Sequence, residues 1–353
     1  MHATPSRPDG RLLHFHDRAD MTAAGYGGGA VVMNLPRQTN ALLGLSHTPP
    51  DTSVLAAAEV VRRLELVITR RLDGLLHGDH LGLTPGHGSE PGETREYEPG
   101  DDVRRIDWNV TARTGRPHVR ITEADRELTA HVVVDLSASM DFGTAACRKR
   151  DLAIAAAATV VFLTARMGNR IGAWIVHPAG LTAIPPAGGS QHARALVHTF
   201  VSSPRSDGPT PISLQATLDR LGAVASRAGL VAIVSDFLDP SPWENSLKRL
   251  SATSELLAVE ILDPRELELP DVGVIEVVDP ESGETLEVQT SDRRLRQLYA
   301  EAAQRHRESI ARAFRRAGAD HLILATDSDW ILDVVRFVAT RRERLAAVRS
   351  SRK

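Results

Sequence analysis

The stretch Val132-Val133-Val134-Asp135-Leu136-Ser137-Ala138-Ser139-Met140 decides how this chain folds. The valine run is apolar without alternation, as in parallel-sheet strands buried on both faces. It ends in a carboxylate, and two hydroxyls follow at spacings of two and four. A second apolar run, residues 230–234, closes in the same way on Ser235 and Asp236. Between them Thr210 stands in a loop rich in Gly and Pro. Asp135, Ser137, Ser139, Thr210 and Asp236 offer oxygen donors alone. That composition suits a hard divalent cation such as Mg²⁺, Ca²⁺ or Mn²⁺ and gives nothing to a thiolate-preferring metal. In open α/β sheets, ligands are held beyond the carboxyl ends of the strands, where both aspartates are expected to lie. A helix cap would account for Asp135 and the serines taken by themselves. The second strand ending in a carboxylate favours the metal set.

Outward from this stretch the chain alternates in type. Val54, Ala58, Val61, Leu64, Ile68, Leu72 and Leu75 recur at three- and four-residue steps, the period of one helix face, and Gly78 is placed to end that helix. Arg62, Arg63, Arg70 and Arg71 fall on its other faces. Residues 128–135 read as the first core strand, Ala-rich 152–167 as a buried helix and 171–176 as the next strand. Residues 193–201 and 212–221 read as helices, 230–234, 256–262 and 321–325 as strands. Residues 272–278 and 285–288 flank Pro280-Glu281-Ser282-Gly283-Glu284 as a hairpin, and 292–317 form a long helix. A closing helix from Trp330 turns Ile331, Val334, Val335 and Val338 inward. Strands alternating with helices predict an α/β protein with a doubly wound, mainly parallel sheet. The expected organisation is an aperiodic, disordered tail over 1–50, an N-terminal helix and charged block over 51–127, the sheet domain over 128–345 and a basic tail over 346–353.

The pattern Asp-x-Ser-x-Ser, a distant Thr and a distant Asp resembles the metal-ion-dependent adhesion site of von Willebrand factor A domains. The resemblance implies a Rossmann-type fold in which Ser137, Ser139 and Thr210 ligate through their hydroxyls and Asp236 acts through water. At Thr210 the chain departs from the pattern. Pro209 and Pro211 flank it, where the family more often has Gly-Gly-Thr followed by a polar residue.

A second signature lies upstream, Arg95-Glu96-Tyr97-Glu98-Pro99-Gly100-Asp101-Asp102-Val103-Arg104-Arg105-Ile106-Asp107-Trp108, continuing to Thr111-Ala112-Arg113. Pro99-Gly100 reads as a tight turn. Asp101 or Asp102 is placed to cap a short helical turn carrying Val103, Ile106 and Trp108. The balanced charges fit an ion-paired block that fastens the preceding segment to the sheet with a buried indole. A partner-binding surface is the other reading. This block, with 132–135, 230–238 and Leu262-Asp263-Pro264, resembles the bacterial family called domain of unknown function 58. The likeness runs over about residues 72–344. It implies a protein that works beside a MoxR-type AAA+ ATPase, in metal insertion or in remodelling of complexes.

Composition narrows the classes. Of 353 residues, 42% are hydrophobic, enough for a sizeable core. A net charge of −3 gives no global attraction to nucleic acid or to an acidic membrane. Cys147 is the single cysteine, which excludes an internal disulfide and fits a reducing compartment. The longest apolar stretch, 152–165, is shorter than the roughly 20 residues a spanning helix needs. The first residues lack the charged-then-apolar order of a signal peptide. A cytoplasmic protein without a membrane span is expected.

Other motifs weigh less. Gly25-Tyr26-Gly27-Gly28-Gly29-Ala30 has no strand before it and so does not read as a dinucleotide site. His77, His80 and His87 lack an accompanying cysteine and sit among Gly and Pro. Arg341-Arg342-Glu343-Arg344, with Arg349, Arg352 and Lys353, has no interleaved aromatics and reads as a solvated helix end rather than a nucleic-acid site. Three functions remain open at this point. The first is a non-enzymatic, metal-dependent interaction module whose open coordination position takes a partner's carboxylate. The second is a metal-dependent hydrolase or phosphotransferase, although its Asp-x-Asp pattern would need a carboxylate where Ser137 stands. The third is a scaffold in which the metal site is vestigial.

Overall fold

The computed structural model describes residues 32–33, 54–75, 94–98, 101, 103, 106–120, 128–205, 210–225, 229–278 and 285–350. In chain order these begin with β1 (Val32–Met33), α1 (Val54–Leu75), β2 (Thr94–Glu96), α2 (Trp108–Thr114) and β3 (His118–Arg120). There follow β4 (Thr129–Asp135), a 3₁₀ turn (Ala138–Asp141), α3 (Lys149–Arg166), β5 (Arg170–His177), β6 (Gly180–Ala187) and α4 (Ser190–Ser202). Next come α5 (Leu214–Val224), β7 (Leu230–Ser235), α6 (Trp243–Leu250), β8 (Glu255–Leu262) and a 3₁₀ turn (Pro264–Glu266). The hairpin β9 (Val274–Val278) and β10 (Thr285–Gln289) precedes α7 (Arg293–Ala317), β11 (Asp320–Ala325) and α8 (Trp330–Ser350). The Gly25–Gly29 cluster and His77, His80 and His87 lie outside the described residues, as do Pro99 and Gly100.

Six strands form the central sheet in the order β11-β8-β7-β4-β5-β6, parallel except for β6, which runs antiparallel to β5. Numbered from β4, that order is 3-2-1-4-5-6, the doubly wound Rossmann arrangement. It is the doubly wound, mainly parallel sheet that the sequence predicts. β6 lies outside the sequence expectation because Pro185 and Pro186 argue against a strand. Both are tolerated because β6 is an edge, where a missing N–H breaks no inner ladder.

Successive side chains of a strand point to opposite faces, and the core is divided accordingly. Val132 and Val134 of β4 pack with Ala155, Leu163, Leu196, Phe200 and Val334, on the face covered by α1, α3, α4 and α8. Val133 packs with Leu218, Leu221, Leu247 and Phe314, on the face covered by α5, α6 and α7. All three valines are wholly buried. The alanines of α3 let its backbone lie close over β4, β5, β7 and β8. α1 joins the first face through Val61, Leu64 and Ile68. Its buried stripe takes Ala57 rather than the expected Ala58, which is exposed, and Glu65 pairs with Arg194 of α4 at 2.8 Å.

Two expectations are corrected. Arg341 is buried, not part of a solvated end. It pairs with Glu255 at 3.2 Å and with Asp320, clamping α8 to the neighbouring strands β8 and β11. Trp108 is 71% exposed and Val103 is exposed with it, so the upstream block does not bury its indole. The cap of α2 is Asp107, whose carboxylate accepts from the amides of Asn109 and Val110 at 3.0 and 3.2 Å. Asp101 is used differently, pairing with Arg95 at 2.5 Å and accepting from the Glu98 amide at 2.9 Å. Among the described residues no helix is long and apolar enough to cross a membrane.

Candidate metal centre

The chain winds one way from β4 through β5 and β6 and the other way through β7, β8 and β11. The carboxyl ends of β4 and β7 therefore lie at the switch point, the position at which such sheets hold ligands. Asp135 is the last residue of β4, and Asp236 follows the last residue of β7. The Ser137 amide donates to Asp135 Oδ1 at 3.0 Å, which folds the chain sharply after the strand. Ser137 and Ser139 share a hydroxyl hydrogen bond of 3.2 Å, and the Ser139 hydroxyl donates to Asp236 Oδ2 at 2.9 Å. Ser235 closes the ring from the other strand, its hydroxyl donating to Asp135 Oδ2 at 2.7 Å. Four of the five residues singled out from the sequence thus form one buried hydrogen-bonded cluster. The fifth, Thr210, is half-buried on the segment that leads to the Ser213 cap of α5.

Residue 237 keeps Asp236 in place at a cost. Phe237 is the one non-glycine at positive φ among the described residues, at 56°. A side chain in that left-handed region costs about 1–2 kcal/mol. Its ring is held 4.8 Å from Phe314 and 5.3 Å from Trp243, and its amide donates to Ser235 Oγ at 3.0 Å. The strained turn then lets the Leu238 amide reach Asp236 Oδ1 at 3.1 Å.

Sequence reasoning missed the cations at this rim. Lys149 and Arg150 open α3 and are both buried, though positive charge in a first turn opposes the helix dipole. Lys149 Nζ donates to Asp236 Oδ2 at 2.8 Å and to Glu266 Oε1. Arg150 donates to the carbonyls of Leu136 at 3.0 Å and Ser203 at 2.7 Å, tying the serine loop to the end of α4. Asp263, after β8, is wholly buried and accepts from the Thr144 amide at 2.8 Å and from the hydroxyls of Thr144 and Thr326 at 2.6 and 2.7 Å. The one signal available in the sequence was charge itself, Arg148-Lys149-Arg150 at the start of the helix that follows the serine loop.

Burial, and then the charge of Asp236, push the Asp135 carboxyl up to about 6. Burial acts on Asp236 too, but the Lys149 ammonium outweighs it and holds that carboxyl below the usual range. Burial disfavours the Lys149 charge, and Asp236 and Glu266 together reverse this, keeping the ammonium above its ordinary value. Burial raises the Glu266 carboxyl against the opposing pull of Lys149.

The donor set fits a hard divalent cation. Two carboxylates and two serine hydroxyls converge from two strand ends, all through oxygen. Among the described residues no three His, Cys, Asp or Glu side chains converge as a metal group, so a cation here must lean on hydroxyls. Asp135, Ser137, Ser139 and Asp236 would hold it, and its charge would relieve the crowding of the two aspartates.

Fold and site together define a doubly wound, Rossmann-type α/β protein with a candidate cation centre at its switch point. The chain matches the family described as Protein of unknown function DUF58 over residues 93–309, and it belongs to that family. Uncharacterised proteins of Mycobacterium tuberculosis and Mycobacterium bovis are each 51% identical to it over 292 residues, covering 83% of this chain and 91% of theirs. Among solved structures, the conserved hypothetical protein BatB from Bacteroides thetaiotaomicron is 9% identical, with a TM-score of 0.39 over 61% of this chain and 99% of its own. The SpRpn10 VWA domain is 9% identical, with a TM-score of 0.33 over 59% of this chain and 93% of its own. The fold assignment rests on the strand order.

Proposed function

We propose that this chain is a non-enzymatic, divalent-cation-dependent protein-interaction module that works with a MoxR-type AAA+ ATPase in assembling or remodelling complexes. The observation that carries the reading is the union of Asp135, Ser137, Ser139 and Asp236 in one all-oxygen cluster at the switch point. Such a cluster leaves coordination positions of a Mg²⁺ or Mn²⁺ ion open to a partner's Asp or Glu. Thr210 is assigned as a further hydroxyl ligand, and the cytoplasm as the compartment. With few carboxylates in the shell, affinity is expected to be weak, with a Kd on the order of 10⁻⁴–10⁻³ M. Saturating Mg²⁺ should raise the melting temperature by roughly 4–7 °C.

A second reading has one observation in its favour. Lys149 already places a positive charge on Asp236, as a scaffold with a vestigial site would need. The ATPase binding assay separates the two. Under the first reading, binding is present in Mg²⁺, lost in EDTA and absent in Asp135→Ala. Equal binding in EDTA and in the variant would establish the scaffold instead.

A further inference from the structure

We propose that Lys149 is the resident counter-cation of this centre, sharing its carboxylates with an incoming divalent ion and thereby setting how tightly that ion is held. The inference rests on the metal reading above and deepens it by naming the residue that tunes the site. Lys149 is wholly buried, and its ammonium lies on Asp236 Oδ2, the same oxygen that accepts the Ser139 hydroxyl. Glu266, from the turn after β8, pairs with the same ammonium. The Phe142 ring, with its centroid 5.9 Å from Nζ, adds a further favourable surface for a cation.

This placement is costly on two counts and so calls for a reason. A buried ammonium loses its hydration, and the start of a helix repels it. The carboxylates of Asp236 and Glu266, with the Phe142 ring, offset those terms. Within the group, Asp135, Asp236 and Glu266 bring three negative charges and Lys149 one positive. Without Lys149 the same carboxylates would draw a dication more strongly. With Lys149 present, Asp236 is already half-occupied, and Asp135 is the carboxylate left to the metal.

The test is calorimetric titration of Mn²⁺ alone into the full chain, native and Lys149→Met, with melting temperatures measured in EDTA and in Mg²⁺. A neutral side chain of similar length removes a like charge next to the ion, so Lys149→Met should bind Mn²⁺ at least about tenfold more tightly. It should also melt lower than the native chain in EDTA and gain more from Mg²⁺. Asp135→Ala added to this variant should abolish binding. Because Lys149→Met leaves two buried carboxylates unpaired and can fail to fold, the comparison is repeated between Glu266→Gln and Lys149→Met/Glu266→Gln. There too the variant without lysine should bind more tightly. Equal or weaker binding without Lys149, while the native chain binds, overturns the inference and leaves the metal reading standing. Binding by the lysine-free variants alone supports Lys149 as the ion's substitute and overturns metal dependence of the native chain. No binding by any of them overturns both.

Discussion

At the carboxyl rim of the sheet, Asp135, Lys149, Arg150, Asp236 and Asp263 are all buried, and each is held by named donors or acceptors. In the block over residues 94–120, the ion pair of Arg116 with Glu96 is 2.9 Å long, yet both side chains are more than half exposed. Trp108 also faces outward there. Both regions carry Asp and Arg side chains that pair or accept hydrogen bonds. They differ in whether water remains as an alternative partner. Rim groups that lose a partner are left unsolvated, which is strongly destabilising. Exposed pairs in the block are screened and contribute little. The rim is therefore where buried polar residues hold the fold, and the block, apart from the buried Asp107 cap, presents the Arg116–Glu96 pair and Trp108 to solvent.

The sharpest way to break this contrast is Asp263→Ala. It strands the Thr144 amide and the hydroxyls of Thr144 and Thr326, which Asp263 holds at a wholly buried position. A loss of about 3 kcal/mol or more is expected in urea unfolding. A loss below about 1 kcal/mol would mean that water reaches the rim and that the contrast is false.

A smaller effect, of opposite sign, is expected at Asp135. Its carboxyl is pushed up to about 6 by burial and by Asp236, so the folded chain holds that proton to higher pH than the unfolded chain does. In EDTA, stability from this group is lost as pH rises from about 4, the unfolded value, to about 6, and is flat above. Asp135→Asn has no such loss and should be more stable than the native chain in EDTA at pH 7.5, by about 1–3 kcal/mol. The gain should vanish near pH 4 and shrink in Mg²⁺. Melting curves across pH with and without Mg²⁺ check all three statements. A pH-independent difference would show that the Asp135 charge is not the cause.

The smallest effect belongs to the block. Trp108→Ala should change stability by no more than about 0.5 kcal/mol, since an exposed side chain gives up little on truncation. If partner binding weakens at the same time, the block is an interaction surface. A loss of several kcal/mol would place the indole inside after all.

Much of the frame was legible because its cause is local. An unbroken run of Val132, Val133 and Val134 can be satisfied only between two layers, and Asp135 and Asp236 follow their strands by chain position alone. Ser137 and Ser139 lie within four residues of Asp135, so the first half of the centre was on one stretch of sequence. The buried face of α1 was off by one residue at Ala58, and β6 was hidden by its prolines, because edge position is a property of the finished sheet.

What the sequence alone determined was the set of oxygen donors and the strands that carry them. The tertiary structure decided which charges share a site. Lys149 meets Asp236 across 87 positions and Glu266 across 117, and Asp263 meets Thr326 across 63. Strand order brings those partners together, and no local spacing encodes it. The fate of Trp108 was settled in the same way. An indole is buried only if another element covers it, and its own neighbours in sequence cannot say whether one will.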